Sequence, residues 1–408
     1  MSNRLRVLLL IPHLGGGGAE QVTALLARGL SDRKYEIHLG LVTQESLPAE
    51  AAPGTVTVHA LGASRVRHSA GRILKLVRSL KPDVVLSGMF HLNFMVLMLR
   101  PLFPARTSVV VRQNTTVSAS LEADVLPWYT RWLYRVLYRF ADRVVCQSRA
   151  MADDLVSELG IAAERLAVLP NPVDFEKLRS LAQPEPWPGL GPHLLAIGRL
   201  TPEKGFDLLL NAFAQIRRDF PHAGLVIVGK GHEESRLKAL AIQLGIADAV
   251  WFAGYQDRPA RFYAGADIFV LSSRHEGMPN AVLEAFASGL PIVSTPASGG
   301  LTDLLKCSTN AWLAPDVSVA GLAQTLKKTI ETLEAHDPCW DRHRSQRRAR
   351  LQALIGSTGL RLERARIAAA ADGPRSAHYA EFSGEFEFER AYEAYEALID
   401  ALCAECRA

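Results

Sequence analysis

The chain has 408 residues, 48% of them apolar and 22% charged, with a formal net charge of +4. At roughly 150 residues per domain this is two or three domains, with the apolar share of an ordinary globular protein. So small a basic excess, with no basic motif in a base-reading context, argues against a nucleic-acid partner; it suits an anionic substrate or membrane surface without requiring either.

The first predicted strand, Leu5–Ile11, ends at Pro12-His13-Leu14-Gly15-Gly16-Gly17-Gly18-Ala19-Glu20, and a helical pattern runs over Ala19–Leu30. Short apolar strands recur at Ile37–Leu41, Val84–Leu86, Ser108–Val111, Val144–Cys146 and Leu166–Leu169. Trp128–Phe140 mixes aromatics with Arg131, Arg135 and Arg139; it predicts an amphipathic helix with inward aromatics, or a face for a membrane interface. Gln183–Pro192 holds four prolines and two glycines and predicts a linker. Strands resume at Leu194–Ile197, Leu225–Val228, Val250–Phe252, Ile268–Leu271 and Ile292–Ser294, with helices Phe206–Phe220 and Glu233–Leu244 between them. An arginine-rich stretch follows over 336–371, a solvated surface segment or a basic face for anionic lipid. Tyr379–Leu402 closes the chain as an amphipathic helix.

Continuous apolar strands alternating with helices predict an α/β protein with parallel sheets covered on both faces. The expected division is a first Rossmann-like domain over 1–182, a linker over 183–192, a second such domain over 193–378 and a C-terminal helix over 379–408. The five cysteines are odd in number and scattered; Cys403 and Cys406 form one CxxC with no second pair to complete a zinc site. Unpaired thiols fit a reducing compartment. The opening run lacks a small-residue cleavage site and reads as a strand rather than a signal peptide. No window approaches about 18 uninterrupted apolar residues. The expectation is a cytoplasmic protein, or one peripheral on the inner face of the cell membrane.

Four successive glycines after a strand let backbone approach a ligand, and the helix that follows offers N–H donors. The spacing is not GxGxxG, and the second strand runs into Thr43-Gln44-Glu45 rather than a ribose-binding acid, which disfavours a nicotinamide enzyme. In the second half Leu194–Ile197 ends in Gly198-Arg199-Leu200-Thr201-Pro202-Glu203-Lys204-Gly205. Arg199 and Lys204 stand where α/β folds bind ligands, and two cations there can neutralise a diphosphate. Ile268–Leu271 leads into Ser273-Arg274-His275-Glu276-Gly277-Met278-Pro279-Asn280-Ala281-Val282-Leu283-Glu284. Glu284 lies on an otherwise apolar helix and needs a partner, either ribose hydroxyls or a neighbouring loop. Glu276 precedes the helix and either binds a ligand or caps it. Eight residues of helix span about 12 Å, more than the roughly 5–9.5 Å between paired glycosidase carboxylates.

EGMPNAVLE is an E-x7-E motif, and with LGGGGAEQV, ADRVVCQSRAMADDL, NPVD at Asn171–Asp174, GRLTPEKGFDLLLNAF, LVIVGKG and VWFAGY the chain resembles the large retaining GT-B glycosyltransferase family. The resemblance runs almost end to end. It implies the GT-B fold, two Rossmann-like domains facing one cleft with a C-terminal helix returning to the first. By it, Arg199 and Lys204 hold the donor diphosphate, Glu276 the donor sugar and Glu284 the ribose. Gly16, Gly17, Gly277, Met278, Pro279 and Asn280 would hold phosphate or sugar, with Gly229 and Tyr255 near the base. His91 would be an active-site histidine; His13 and Asn114 would face the acceptor. The implied partners are a nucleotide sugar, UDP-linked rather than GDP-linked, and a saccharide or lipid-linked acceptor, with neither cofactor nor metal. Gly229-Lys230-Gly231 where members often carry Gly-Asp-Gly, and Asp303 where they often carry Glu, blur the donor. Other readings are a GDP-mannose mannosyltransferase, a nucleotide-sugar epimerase or hydrolase on the same fold, and a non-catalytic binding protein.

Overall fold

The structure, a computed structural model, describes residues 4–15, 17–31, 34–43, 55–118, 129–174, 178, 187–256, 259–306, 308, 310–336 and 387–406. Chain order in the first half is β1 (Leu5–Ile11), α1 (Gly18–Ser31), β2 (Tyr35–Leu41), β3 (Thr57–Ala60), α2 (Ala70–Leu80), β4 (Val84–Gly88), α3 (Phe90–Leu99), β5 (Ser108–Arg112), α4 (Tyr129–Leu137), β6 (Arg143–Cys146), α5 (Arg149–Leu159) and β7 (Leu166–Val168). The second half runs β8 (His193–Ile197), α6 (Phe206–Ile216), β9 (Gly224–Val228), α7 (Glu234–Gln243), β10 (Val250–Gly254), α8 (Ala260–Gly265), β11 (Ile268–Leu271), α9 (Asn280–Ala287), β12 (Ile292–Ser294), α10 (Gly299–Lys306), β13 (Ala311–Leu313) and α11 (Val319–His336). The helix α12 (Glu387–Glu405) comes last.

Two parallel sheets result, in the orders β3-β2-β1-β4-β5-β6-β7 and β10-β9-β8-β11-β12-β13. The strands are apolar on both sides because both sheet faces are covered. Val7, Leu9 and Ile11 of β1 pack with Val22, Leu26 and Leu30 of α1 and with Tyr395, Ile399 and Leu402 of α12. Leu8 and Leu10 face Ile73 and Val77 of α2 and Leu92 and Val96 of α3. The C-terminal helix therefore completes the core of the first lobe, and Lys34 and Tyr35 both reach Asp400 on it, at 2.5 and 3.0 Å. Strand order reverses between β1 and β4 and again between β8 and β11. In open α/β sheets the crevice beyond those strand ends is where ligands bind.

Two strands were not anticipated. β3 lies at the sheet edge with its end residues exposed, so it lacks a continuous apolar run, and β13 has only three residues. The helix expected over Phe206–Phe220 stops at Ile216. The Trp128–Phe140 segment is a helix over Tyr129–Leu137 followed by one tighter turn to Phe140. Tyr134 and Tyr138 pack inward, whereas Arg131 and Arg135 reach Glu158 at the end of α5. Gly16, Cys307, Cys339, the linker residues 183–186 and the arginine-rich stretch beyond His336 lie outside the described residues.

Candidate active site

The loop after β11 is tied down from three sides. Ser272 Oγ donates to the Lys204 carbonyl at 3.0 Å, and Thr295 Oγ1 to the Ser273 carbonyl at 2.6 Å. Arg274 forks onto Asp207 at the start of α6, at 2.9 and 2.8 Å. Burial works against the ionised Asp207, but the Arg274 hydrogen bond and charge hold its carboxyl below the usual value. On this platform Glu276 accepts from Lys204 Nζ at 2.5 Å and from Ser273 Oγ at 2.7 Å. Both donors reach Oε1, which leaves Oε2 without a hydrogen-bond donor among the described residues. A charge-assisted bond of this length fixes carboxylate and ammonium together. The expected sugar contact and the expected phosphate contact are thus bound to each other. Arg199, by contrast, has a side chain 72% exposed and, among the described residues, only a 3.9 Å ion pair with Glu203.

Glu284 is 8% exposed on α9, between buried Leu283 and Ala285. The partners its burial demands include the Tyr263 hydroxyl at 2.8 Å and Gln21 Nε2, from the other lobe, at 2.9 Å. Burial, with the Glu284 carboxylate beside it, raises the Tyr263 phenol well above its ordinary value, so it remains a donor. The floor of this lobe is backbone. Gly229 follows β9 at φ +145°, and a Cβ there would strike the Gly198 carbonyl; only glycine fits. Tyr255, directly after β10, is half-exposed beside this floor.

The first lobe supplies its residues from separate strand ends. His13 follows β1; its Nδ1 accepts from the Gly15 N–H at 3.1 Å and lies 3.6 Å from Glu20 Oε1. Glu20 is buried in the first turn of α1 and folds its carboxylate over Gly17. His91 sits in the first turn of α3, just past β4. Burial, and then the neighbouring His13, lower its pKa, so the ring is neutral at pH 7. Met89, two residues before it, has φ 79° and ψ 127°, a conformation that costs a non-glycine residue on the order of 1–3 kcal/mol and concentrates at functional sites. Asn114 offers no loose amide oxygen: Oδ1 accepts from Arg112 at 2.5 Å and Gln147 at 3.2 Å.

The two lobes meet here. Asn280 Nδ2 donates to the Gly18 carbonyl at 3.0 Å, and Asn171 Nδ2 donates to Asn280 Oδ1 at 2.7 Å. A Cβ on Gly277 would run into the Asn114 carbonyl, so the motif loop touches the first lobe backbone to backbone. Met278 joins the contact through its carbonyl, and Pro279 stands one residue outside α9 as its N-cap. Sequence reasoning gave no role to Glu20, Gln21 or Arg112. The signal was present for Arg112, a charge ending the otherwise apolar strand SVVVR.

Comparison with known proteins gives the family. Residues 16–177 match Glycosyltransferase Family 4, and residues 180–345 match the glycosyl transferases group 1. The lipopolysaccharide core biosynthesis glycosyltransferase LpsE of Rhizobium meliloti is 32% identical over 297 residues, 70% of this chain and 78% of that protein. The chain belongs to this glycosyltransferase family. It is an enzyme of the transferase class, and its fold is GT-B. The N-acetylgalactosamine-N,N'-diacetylbacillosaminyl-diphospho-undecaprenol 4-alpha-N-acetylgalactosaminyltransferase of Campylobacter jejuni is 28% identical over 335 residues, 79% of this chain and 89% of that protein. An uncharacterised glycosyltransferase of Methanocaldococcus jannaschii is 27% identical over 249 residues, and the match spans 57% of this chain and only 60% of that protein's length. Among solved structures, the Anabaena protein HepE in complex with UDP superposes with a TM-score of 0.65 at 19% identity, covering 90% of this chain and all of that one. That likeness carries the fold of this glycosyltransferase and nothing finer.

Proposed function

We propose that this glycosyltransferase moves a hexosyl or N-acetylhexosaminyl unit, with retention, from a nucleotide diphosphate sugar to a saccharide or lipid-linked saccharide in cell-surface glycan biosynthesis. The observation that carries this reading is the Glu276–Lys204 pair, formed between the loops after β11 and β8, with the buried Glu284 on the helix that follows Glu276. A UDP-linked donor is favoured over a GDP-linked one by the EGMPN motif. The lipid-linked acceptor class is supported by the Campylobacter relative, whose name gives a diphospho-undecaprenol substrate.

In this reading the anomeric C–O bond to the diphosphate breaks as a new one forms to an acceptor hydroxyl; negative charge grows on the departing oxygen, which takes up the hydroxyl's proton. Lys204 and Arg199 meet that charge, with the N–H groups at the start of α9 beside them. Lys204 then bridges phosphate and Glu276, which aligns the sugar with its own leaving group. Glu284 holds the ribose. Neutral His91 is suited to a hydrogen bond with the sugar or acceptor rather than to ion pairing. Closure of the lobes aligns the two substrates and excludes water. The reaction is proposed to need no metal, so an excess of chelator should leave rates unaltered. A thermal-shift panel of UDP, GDP and ADP sugars, followed by mass spectrometry with lipid-linked acceptors, tests the reading. Donor consumption without transfer would favour the epimerase or hydrolase alternative, and no turnover with any acceptor would favour a binding protein.

Peripheral contact with an anionic membrane, from a cytoplasmic location, belongs to the same reading. Phe90, Met98, Leu102, Tyr129, Trp132 and Phe140 are all exposed on or just beyond α3 and α4, Trp132 to 61% by side chain and backbone together. A shallow concavity of about 880 Å³, lined by Phe140, sets four arginines, Arg100, Arg139, Arg143 and Arg165, against two carboxylates, Asp142 and Glu164. An apolar face rimmed by arginine suits anionic lipid. No helix among the described residues is long and apolar enough to cross a membrane. Sedimentation with phosphatidylglycerol vesicles is expected, and loss of binding in Trp132→Ser with Phe140→Ser checks it.

A further inference from the structure

We propose that Arg112 is a positioning residue for glycosyl transfer: a buried cation that braces two of the places where the donor motif touches the first lobe. The proposal rests on the donor-binding reading of that motif. Arg112 ends β5 and is 2% exposed. Burying a guanidinium without a counter-charge is costly, and a position needing only volume would carry Leu or Met. Among the described residues its hydrogen-bond acceptors are amides. Nη1 donates to Asn114 Oδ1 at 2.5 Å, Nη2 donates to Asn171 Oδ1, and Nε has no partner. Tyr395 of α12 lies within its electrostatic reach. Three passes of the chain therefore meet at one guanidinium: β5, the segment around Asn171 that leaves the first sheet, and the returning C-terminal helix.

Each amide leads onward to the motif. The Asn114 carbonyl is the group against which Gly277 is pressed. Asn171 donates to Asn280 Oδ1 at 2.7 Å and to the Met278 carbonyl at 3.5 Å, and Asn280 donates to the Gly18 carbonyl at 3.0 Å. In the chain Arg112–Asn171–Asn280–Gly18 every side-chain amide accepts on the side toward Arg112 and donates away from it. Hydrogen bonds aligned in one direction polarise one another, and a cation at the head strengthens the series. The chain ends at the first residues of α9 and α1. Arg112 thereby sets how closely the donor-binding helix approaches the glycine loop, without touching substrate.

The test uses the full chain and three variants. Arg112→Met removes the charge and keeps the bulk. Arg112→Lys keeps the charge with a shorter, unforked head. Asn171→Ser keeps an acceptor for the guanidinium and is too short to reach Asn280. Donor KM, kcat and small-angle scattering with and without UDP are measured beside thermal melting. Arg112→Met and Asn171→Ser are each expected to lower kcat/KM by about tenfold, chiefly through donor KM, with the double variant no worse than the more severe single, as for residues in one network. Arg112→Lys should recover part of the loss, and the UDP-induced contraction of the wild type should shrink in both disruptive variants. Wild-type kinetics and scattering in Asn171→Ser, or strictly additive losses, overturn the proposal. So does a drop in melting temperature with unchanged kinetics, which is what a merely structural arginine gives. If Arg112→Met does not fold, Asn171→Ser decides alone. A wild type that turns over no nucleotide sugar sinks the transferase reading instead, and the scattering comparison still tests Arg112.

Discussion

The two lobes build their halves of the cleft in different ways. In the second lobe, the residues around the motif come from one continuous run, Ser273 to Glu284, braced by the adjacent loops after β8 and β12. In the first lobe His13, Glu20, His91 and Asn114 come from three separate strand ends. They are held by contacts local to each strand end, such as the Gly15 N–H on His13, its 3.6 Å approach to Glu20, and the Arg112 and Gln147 bonds to Asn114. A continuous, internally bonded loop keeps its geometry when the far lobe changes. Residues scattered over separate strand ends can each change while the sheet stays the same.

That contrast can be broken most directly at the Glu276–Lys204 pair. Lys204→Ala and Glu276→Ala are each expected to lower kcat on the order of a hundred- to a thousandfold, as when a charge-stabilising donor is removed from an active site. Unchanged initial rates in both would end the assignment. Gly277→Ala probes the contact between lobes rather than the chemistry. Its Cβ has no room beside the Asn114 carbonyl, so kcat/KM should fall by about a hundredfold, the effect of a small misalignment. Separate melting of the lobes should show the fold intact. Gln21→Ala removes one first-lobe bond to Glu284, worth about 1 kcal/mol net. Donor KM should move only a few-fold; a large loss of kcat would mean that the lobes divide the work less cleanly.

Smaller effects come from pH. The folded pKa of Asp207 lies below its usual value of 3.8, so the Arg274 bond contributes its full stability above that value and loses it as pH falls through the folded pKa. Asp207→Asn should remove about 1 kcal/mol at neutral pH and less in acid, measured by denaturant unfolding at pH 7 and below pH 4. For His91 the sign is opposite to that of a histidine gaining an ion partner. Its folded pKa lies below 6.5, so stability is complete above 6.5 and declines as pH falls toward the folded value. An NMR titration should give a His91 midpoint below 6.5, and His13→Ala should raise it slightly by removing a like charge.

Much of the second lobe was legible in the chain because its information is local. Ile268–Leu271 and Ile292–Ser294 have the predicted strand limits, and Glu276 and Glu284 fall on the loop and helix that their spacing implies. β3 was not legible, since an edge strand half in solvent carries no apolar run. Nor was the role of Arg112, whose partners lie as far as 59 residues away in sequence.

The sequence by itself determined the two parallel sheets, the glycine-rich strand ends and the place of the E-x7-E motif. All of these follow from periodicity and short-range spacing. Only the tertiary structure decided that Lys204 closes on Glu276, that Glu284 meets Gln21 across the cleft, and that one buried guanidinium underlies the contact between lobes. Those pairings depend on distances between residues far apart in the chain, which folding alone brings within reach of a hydrogen bond.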